Sequence, residues 1–215
     1  MRDNYKWIGP IYDFLGRVYS GKQIENCKVA MLEHLQPGQK VLFAGVGHGR
    51  DAIHAAKLGA HVTVVDLSQT MLDNFQKLLD KENVTAEVRK VHSDIFKVNE
   101  IEQYDMVVAN FFLNVFSKPM MQDVLNHLVT LCKPEGHVVV GDFIYPTGNI
   151  ITRTMKKAYW YGAVIIFWAM TNNALHEVYN YPEHMKNAGL EVKEKKRFSL
   201  WRFNAYWSLL GKKAA

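Results

Sequence analysis

Cysteine is scarce in this sequence: there are two in 215 residues, Cys27 and Cys132, far apart and without partners at metal-ligand spacing. That excludes a disulfide framework and a zinc site, leaves two ordinary thiols, and implies no metal. Long apolar runs are also lacking. None reaches the roughly 18 to 20 residues needed to cross a bilayer, and the opening Met1-Arg-Asp-Asn-Tyr lacks the charged-then-apolar profile of a secretory leader. The expectation is a cytoplasmic protein whose membrane contact, if it has one, is peripheral. Internal repeats and low-complexity segments are missing too, which excludes a solenoid and a long disordered linker.

A hydrophobic content of 48% in a chain of this length supports one full core, and so one domain with a small accessory region. The net charge of +5 is unevenly spread. From Lys186 onward eight Lys or Arg face two Glu, a local charge of +6, which leaves the first 185 residues at −1. The basic character thus belongs to the C-terminal end, where it can meet phosphates, anionic lipid or water.

Apolar periodicity then alternates between two kinds of element. Residues 23–35 carry Ile24, Cys27, Val29, Met31, Leu32 and Leu35 at helical spacing. "KVLFAGV", "HVTVVDL", "AEVRKVHSD", "YDMVVANFFL" and "HVVVGDF" read as strands. Between them "DAIHAAKLG", "QTMLDNFQKLLDKEN" and "PMMQDVLNHLVTLCKPEG" read as helices, the last with a Pro-Glu-Gly exit before its strand. Continuous apolar strands alternating with helices predict an α/β, doubly wound, Rossmann-like and mostly parallel sheet. After an aromatic-rich insertion, "YPEHMKNAGLEV" is a helix with a Gly stop. "KEKKRFSLWRFNAYWSLLGKK" completes the sheet as an antiparallel edge hairpin.

In such a sheet the loop after the first strand faces the ligand. Here it is "AGVGHG", with Gly45, Gly47 and Gly49 giving the backbone unusual angles and room for close approach. Asp66 ends the second strand, where a carboxylate can accept both hydroxyls of a ribose. Asp94, beside Ile95, ends the third and can accept from an exocyclic amine. The glycine spacing departs from Gly-x-Gly-x-x-Gly, which disfavours a pyrophosphate. A nucleoside without phosphate fits all three positions.

"VLFAGVGHG", "VTVVDLSQTML", "VHSDIF", "YDMVVANFFLNV" and "CKPEGHVVVGDF", in this order over residues 36–145, resemble the successive motifs of the class I S-adenosylmethionine-dependent methyltransferases. The resemblance implies S-adenosylmethionine as cofactor and S-adenosylhomocysteine as product. It places Ala44, Gly45, Val46, Gly47 and Gly49 along the methionine part and Asp66 with Leu67 at the ribose. Asp94 and Ile95 fall at the adenine, and Asn110 with Phe111 near the sulfonium. Met71 packs on the adenine or belongs to the core. One position departs: Phe43 stands where many members carry an acidic residue that helps hold the ligand's ammonium group.

Within that superfamily the chain is most similar to the C-methyltransferases of ubiquinone and menaquinone biosynthesis, through "IYDFLGRVYSGK", "FFLNV" and "VVVGDF". A small, hydrophobic, quinone- or lipid-like acceptor is therefore expected. Tyr12 is expected to close over the cofactor, and Asp142 and His176 are the candidate proton acceptors. The run "YWYGAVIIFWAM" (159–170) suits a lid over an apolar substrate, or a helix buried in the domain or in a homodimer interface. The expected organisation is an N-terminal helical cap (1–35), the cofactor-binding core (36–145), the lid insertion (146–180) and a C-terminal helix with strands (181–215). Two other readings stay open. One is a catalytically silent cofactor-binding module or partner subunit, favoured by Phe43. The other is a nucleic-acid methyltransferase, disfavoured because "NFFL" replaces the Asn/Asp-Pro-Pro-Tyr/Phe signature of amino-group methylation.

Overall fold

A computed structural model of the chain describes residues 22–146, 154, 158, 178–200 and 203–215. Tyr12, His176 and the aromatic run 159–170 lie outside the described residues. Among the described residues five α-helices and seven strands follow in order: α1 (Gln23–Val29), β1 (Lys40–Ala44), α2 (Arg50–Lys57), β2 (His61–Asp66), α3 (Gln69–Lys81), β3 (Val88–His92), β4 (Tyr104–Asn110), α4 (Lys118–Leu131), β5 (Cys132–Phe143), α5 (Tyr181–Asn187), β6 (Leu190–Leu200) and β7 (Phe203–Lys213). The strands form one sheet of order β3-β2-β1-β4-β5-β7-β6, parallel except for β7, which runs antiparallel between β5 and β6. The order reverses between β2-β1 and β4, so the loop after β1 opens at the switch point.

The continuous apolar strands are explained by the two cores they feed. In β1, Leu42 and Ala44 join one core while Val41 and Phe43 join the other; in β4, Val107 and Ala109 face one side and Met106 and Val108 the other. Successive side chains of a strand point to opposite faces, so a sheet covered on both faces needs an apolar residue at every position. Helix ends are set locally. Ser68 caps α3 by accepting from Met71 N–H at 3.3 Å, and Pro119 sits in the first turn of α4, where its missing N–H costs nothing.

Two boundaries differ from the sequence expectation. The first helix stops at Val29 instead of running to Leu35; a 3-10 turn, Leu32–His34, follows. Leu35, with ψ of 137°, is already extended, and Gln36 before Pro37 is disfavoured in the helical region, so the helix does not resume. Met31, Leu32 and Leu35 are still buried. Second, β5 starts at Cys132, paired with Tyr104, so the Pro-Glu-Gly segment is an irregularity within the strand and not an exit loop. A Cβ on Gly136 would stand 2.8 Å from Cys132 Sγ and 3.0 Å from the Asp105 carbonyl oxygen, which explains the glycine there. The basic end forms the expected antiparallel edge hairpin, and part of its charge is paired: Lys196 with Glu33 and Glu194 at 2.5 and 3.5 Å, and Lys213 with Glu102 at 3.1 Å. Among the described residues no helix is long and apolar enough to cross a membrane.

Candidate functional site

The three loop glycines all adopt positive φ, but they do different jobs. A Cβ on Gly45 would meet the Phe112 ring at 2.8 Å, and one on Gly49 would lie 2.1 Å from the Phe75 ring. Those two are required by packing as well as by conformation. Gly47 is exposed, and the nearest atom to a Cβ there is the Lys28 ammonium at 3.6 Å. The open side of the loop is therefore at Gly47. Ala44 and Val46 are buried in the two cores and hold the loop down on the sheet.

Asp66 fixes the loop to the end of β2. Its Oδ2 accepts from Val46 N–H at 2.9 Å and its Oδ1 from Ser68 N–H at 2.8 Å. A carboxylate has about four acceptor positions, so each oxygen keeps one for a ligand hydroxyl. Two residues after β3, Asp94 is half-buried and caps a 3-10 turn; its Oδ1 accepts from Phe96 N–H at 2.9 Å, and Oδ2 has no partner among the described residues. Ile95 is buried beside it, its carbonyl accepting from His127 Nε2 at 2.9 Å. Leu67, 66% exposed, and Phe96 present apolar surface next to these carboxylates. Met71 is partly buried against the second core. Two carboxylates with apolar flanks suit a ribose diol, an amine and a flat base.

At the end of β4, Asn110 Nδ2 donates both to the Lys28 carbonyl and to Asp51 Oδ2, each at 2.9 Å. Phe111 follows with φ of 51°, a left-handed conformation that costs an aromatic residue about 1 kcal/mol or more. It is held there by an N–H donated to the Gly141 carbonyl at 2.7 Å and by edge contacts of its ring with Phe143 and Tyr206. The Lys28 ammonium lies 5.9 Å above the same ring, and Arg50 pairs with Glu25 at 3.6 Å, so α1 is clamped across the ends of β1 and β4.

Asp142, at the end of β5, is 1% exposed. Its Oδ1 accepts from Asn114 Nδ2 at 2.9 Å and from Phe143 N–H at 2.7 Å, and its Oδ2 from the Tyr181 hydroxyl at 2.7 Å. Burial pushes its carboxyl up to about 6 against the pull of those donors, and burial likewise holds the Tyr181 hydroxyl well above its ordinary value, so it stays a donor. The carboxylate expected from the sequence to take a proton is sealed from the ligand side in this structure; it joins β5, the turn after β4 and α5. Glu33, His34 and Glu194 also converge, but Lys196 already supplies their cation.

Sequence reasoning missed Lys28, Asp51, Asn114 and Tyr181. Lys28 lies four residues after Ile24 and Asp51 four before Ala55, positions on the inward face of their helices, which was the available signal. Asn114 and Tyr181 carried no local signal.

A family model described as a methyltransferase domain matches residues 41–136. Ribosomal protein L11 methyltransferase of Listeria monocytogenes is 30% identical over 138 residues, covering 61% of this chain and 41% of that protein. Demethylmenaquinone methyltransferase of Clavibacter sepedonicus is 26% identical over 149 residues, covering 68% of this chain and 59% of that protein. The chain thus spans 41% to 59% of the length of these curated relatives. Among solved structures, magnesium protoporphyrin IX methyltransferase of Synechocystis PCC 6803 with bound SAH superposes with a TM-score of 0.67 at 18% identity, over 92% of this chain and 84% of that chain.

Proposed function

We propose that this chain, whose sheet has the class I methyltransferase fold, is an S-adenosylmethionine-dependent methyltransferase acting on a small apolar acceptor of quinone or lipid type. The observation that carries the reading is Asp66, pinned by two backbone N–H groups beside the exposed Gly47 with acceptor capacity to spare. That arrangement fits the ribose of the cofactor. Leu67 fits beside Asp66 at the ribose, Asp94 and Ile95 fit the adenine, Met71 one of its faces, and Asn110 with Phe111 the end that carries the methyl group. When bound, S-adenosylmethionine supplies a methyl group on a sulfonium, open to in-line displacement.

The chain's own contribution is alignment and exclusion of water, which suffice for much of the rate of such a displacement. Phe111 packs edge-on against Phe143 and Phe112 against Phe116 after β4 and at the end of β5, and Val115, Met120 and Tyr145, next to them in the chain, expose apolar surface. This supports an apolar acceptor, as does the likeness to a demethylmenaquinone methyltransferase. Asp142 acts in this reading as a positioning residue that holds Asn114 and Tyr181. Tyr12 as a cover over the cofactor, His176 as proton acceptor and the 146–180 insertion as lid, with peripheral lipid contact or a homodimer, complete the proposal.

Calorimetry with S-adenosylhomocysteine tests the first half: micromolar binding is expected, and no binding overturns it. Mass spectrometry after incubation with isotopically methyl-labelled cofactor and demethylated quinones tests the second. Transfer to a small polar compound and to no quinone or lipid overturns the acceptor class and leaves methyl transfer standing.

A further inference from the structure

Two opposite charges, Asp51 and Lys28, flank the glycine loop, each without an ion-pair partner among the described residues. Asp51, in the first turn of α2, is 5% exposed, and Asn110 Nδ2 on its Oδ2 is its hydrogen-bond donor among the described residues. No basic group lies within ion-pair distance of it there. A buried carboxylate so poorly compensated is costly; the helix N-terminus relieves part of that cost but supplies no counter-charge. Lys28, half-buried on α1, rests over the Phe111 ring and 3.6 Å from the place a Gly47 side chain would take. It too has no ion-pair partner among the described residues. One Asn110 amide group bonds both the Lys28 backbone carbonyl and the Asp51 carboxylate, so the backbone that carries the cation and the anion itself are fixed to a single side chain.

An anion and a cation without ion-pair partners, both anchored on Asn110 and the cation at the open Gly47, complement a zwitterion. We infer that Lys28 and Asp51, bridged through Asn110, recognise the α-amino-acid end of the cofactor, Asp51 taking the ammonium and Lys28 the carboxylate. This rests on the cofactor assignment above. It resolves what Phe43 leaves open: that side chain is packed in the second core and offers no charge, and the acid stands instead eight positions on, in α2. It also gives α1 a purpose, because the helix that brings Lys28 is fastened by Arg50–Glu25 and by the Asn110 bond to its backbone.

The test compares two probes that share a nucleoside and a thioether: S-adenosylhomocysteine, which carries the amino-acid end, and 5′-methylthioadenosine, which lacks it. Calorimetry on the parent chain should show the first binding at least about tenfold more tightly, the effect of one charge-assisted contact. Lys28→Met and, separately, Asp51→Asn should each weaken S-adenosylhomocysteine about tenfold or more while leaving 5′-methylthioadenosine within about twofold. Retained binding of the second probe shows that the variant is folded and its nucleoside site intact; should Asp51→Asn unfold, the exposed-side variant Lys28→Met still decides. Equal affinity of the parent for both probes, or a Lys28→Met chain that keeps its preference, overturns the inference while the cofactor assignment stands. A parent that binds neither probe overturns the assignment itself, and this inference with it.

Discussion

The hydroxyl of Tyr181 donates a 2.7 Å hydrogen bond to Oδ2 of Asp142, two residues 39 positions apart and both almost fully buried. With Asn114 on the other oxygen, this carboxylate ties the start of α5 to the ends of β4 and β5. The end of β5 and the start of α5 therefore meet at one shared group.

Stability should respond to pH through Asp142. Its folded value is raised to about 6 from 3.8 in the unfolded chain, so the folded chain binds the extra proton in between. The stabilisation from the neutral form is present below the lower value and lost as pH rises through the upper one. Asp142→Asn, which does not titrate, should gain on the parent by up to about 3 kcal/mol from pH ~4 to ~7. Urea denaturation of both chains at the two pH values measures it; a constant gap between them is the contrary result.

Removing the Tyr181 hydroxyl deprives a buried carboxylate of one donor. Tyr181→Phe should lower stability at neutral pH by about 1.5–3 kcal/mol and by less under acid conditions, where Asp142 is neutral. Thermal melts across pH check both the size and the trend.

The glycines should separate by role. Gly49→Ala puts a Cβ into the Phe75 ring and should destabilise the fold by more than about 2 kcal/mol. Gly47→Ala would meet only the Lys28 ammonium at 3.6 Å, an ordinary contact, so it should cost only the strain of its positive φ, about 1 kcal/mol, while S-adenosylhomocysteine affinity falls more steeply. Melting temperature and calorimetry on the two variants should rank them in opposite order.

Asp66→Asn turns one acceptor oxygen into a donor facing a backbone N–H. Cofactor affinity should fall about tenfold or more, since a charge-assisted bond to ribose is lost and the glycine loop is released. Unchanged affinity by calorimetry would move the ribose elsewhere.

The apolar rim is testable apart from the cofactor. Changing Val115 and Met120 together to Ser should leave S-adenosylhomocysteine affinity within about twofold yet raise KM for an apolar acceptor about tenfold, from the lost burial of two side chains. Initial-rate kinetics on a demethylated quinone gives the comparison.

The class of fold, the order of its elements and the two carboxylates after β2 and β3 were legible in the amino-acid sequence. Each depends on a short-range property: the two-residue period of a strand, the capping of the next helix, or the residue that ends a strand. Where the period itself was ambiguous, local reading overran, as in the helix expected through Leu35 and the loop expected at Pro134. What tertiary structure alone decided is which groups meet. Gly45 and Gly49 are spoken for by Phe112 and Phe75, leaving the open side at Gly47. Lys28 is brought to Asn110 across 82 residues, and Asp142 is closed off by Asn114 and Tyr181. Burial and charge pairing are properties of the neighbourhood after strands from distant parts of the chain lie side by side, and a one-dimensional pattern does not carry them.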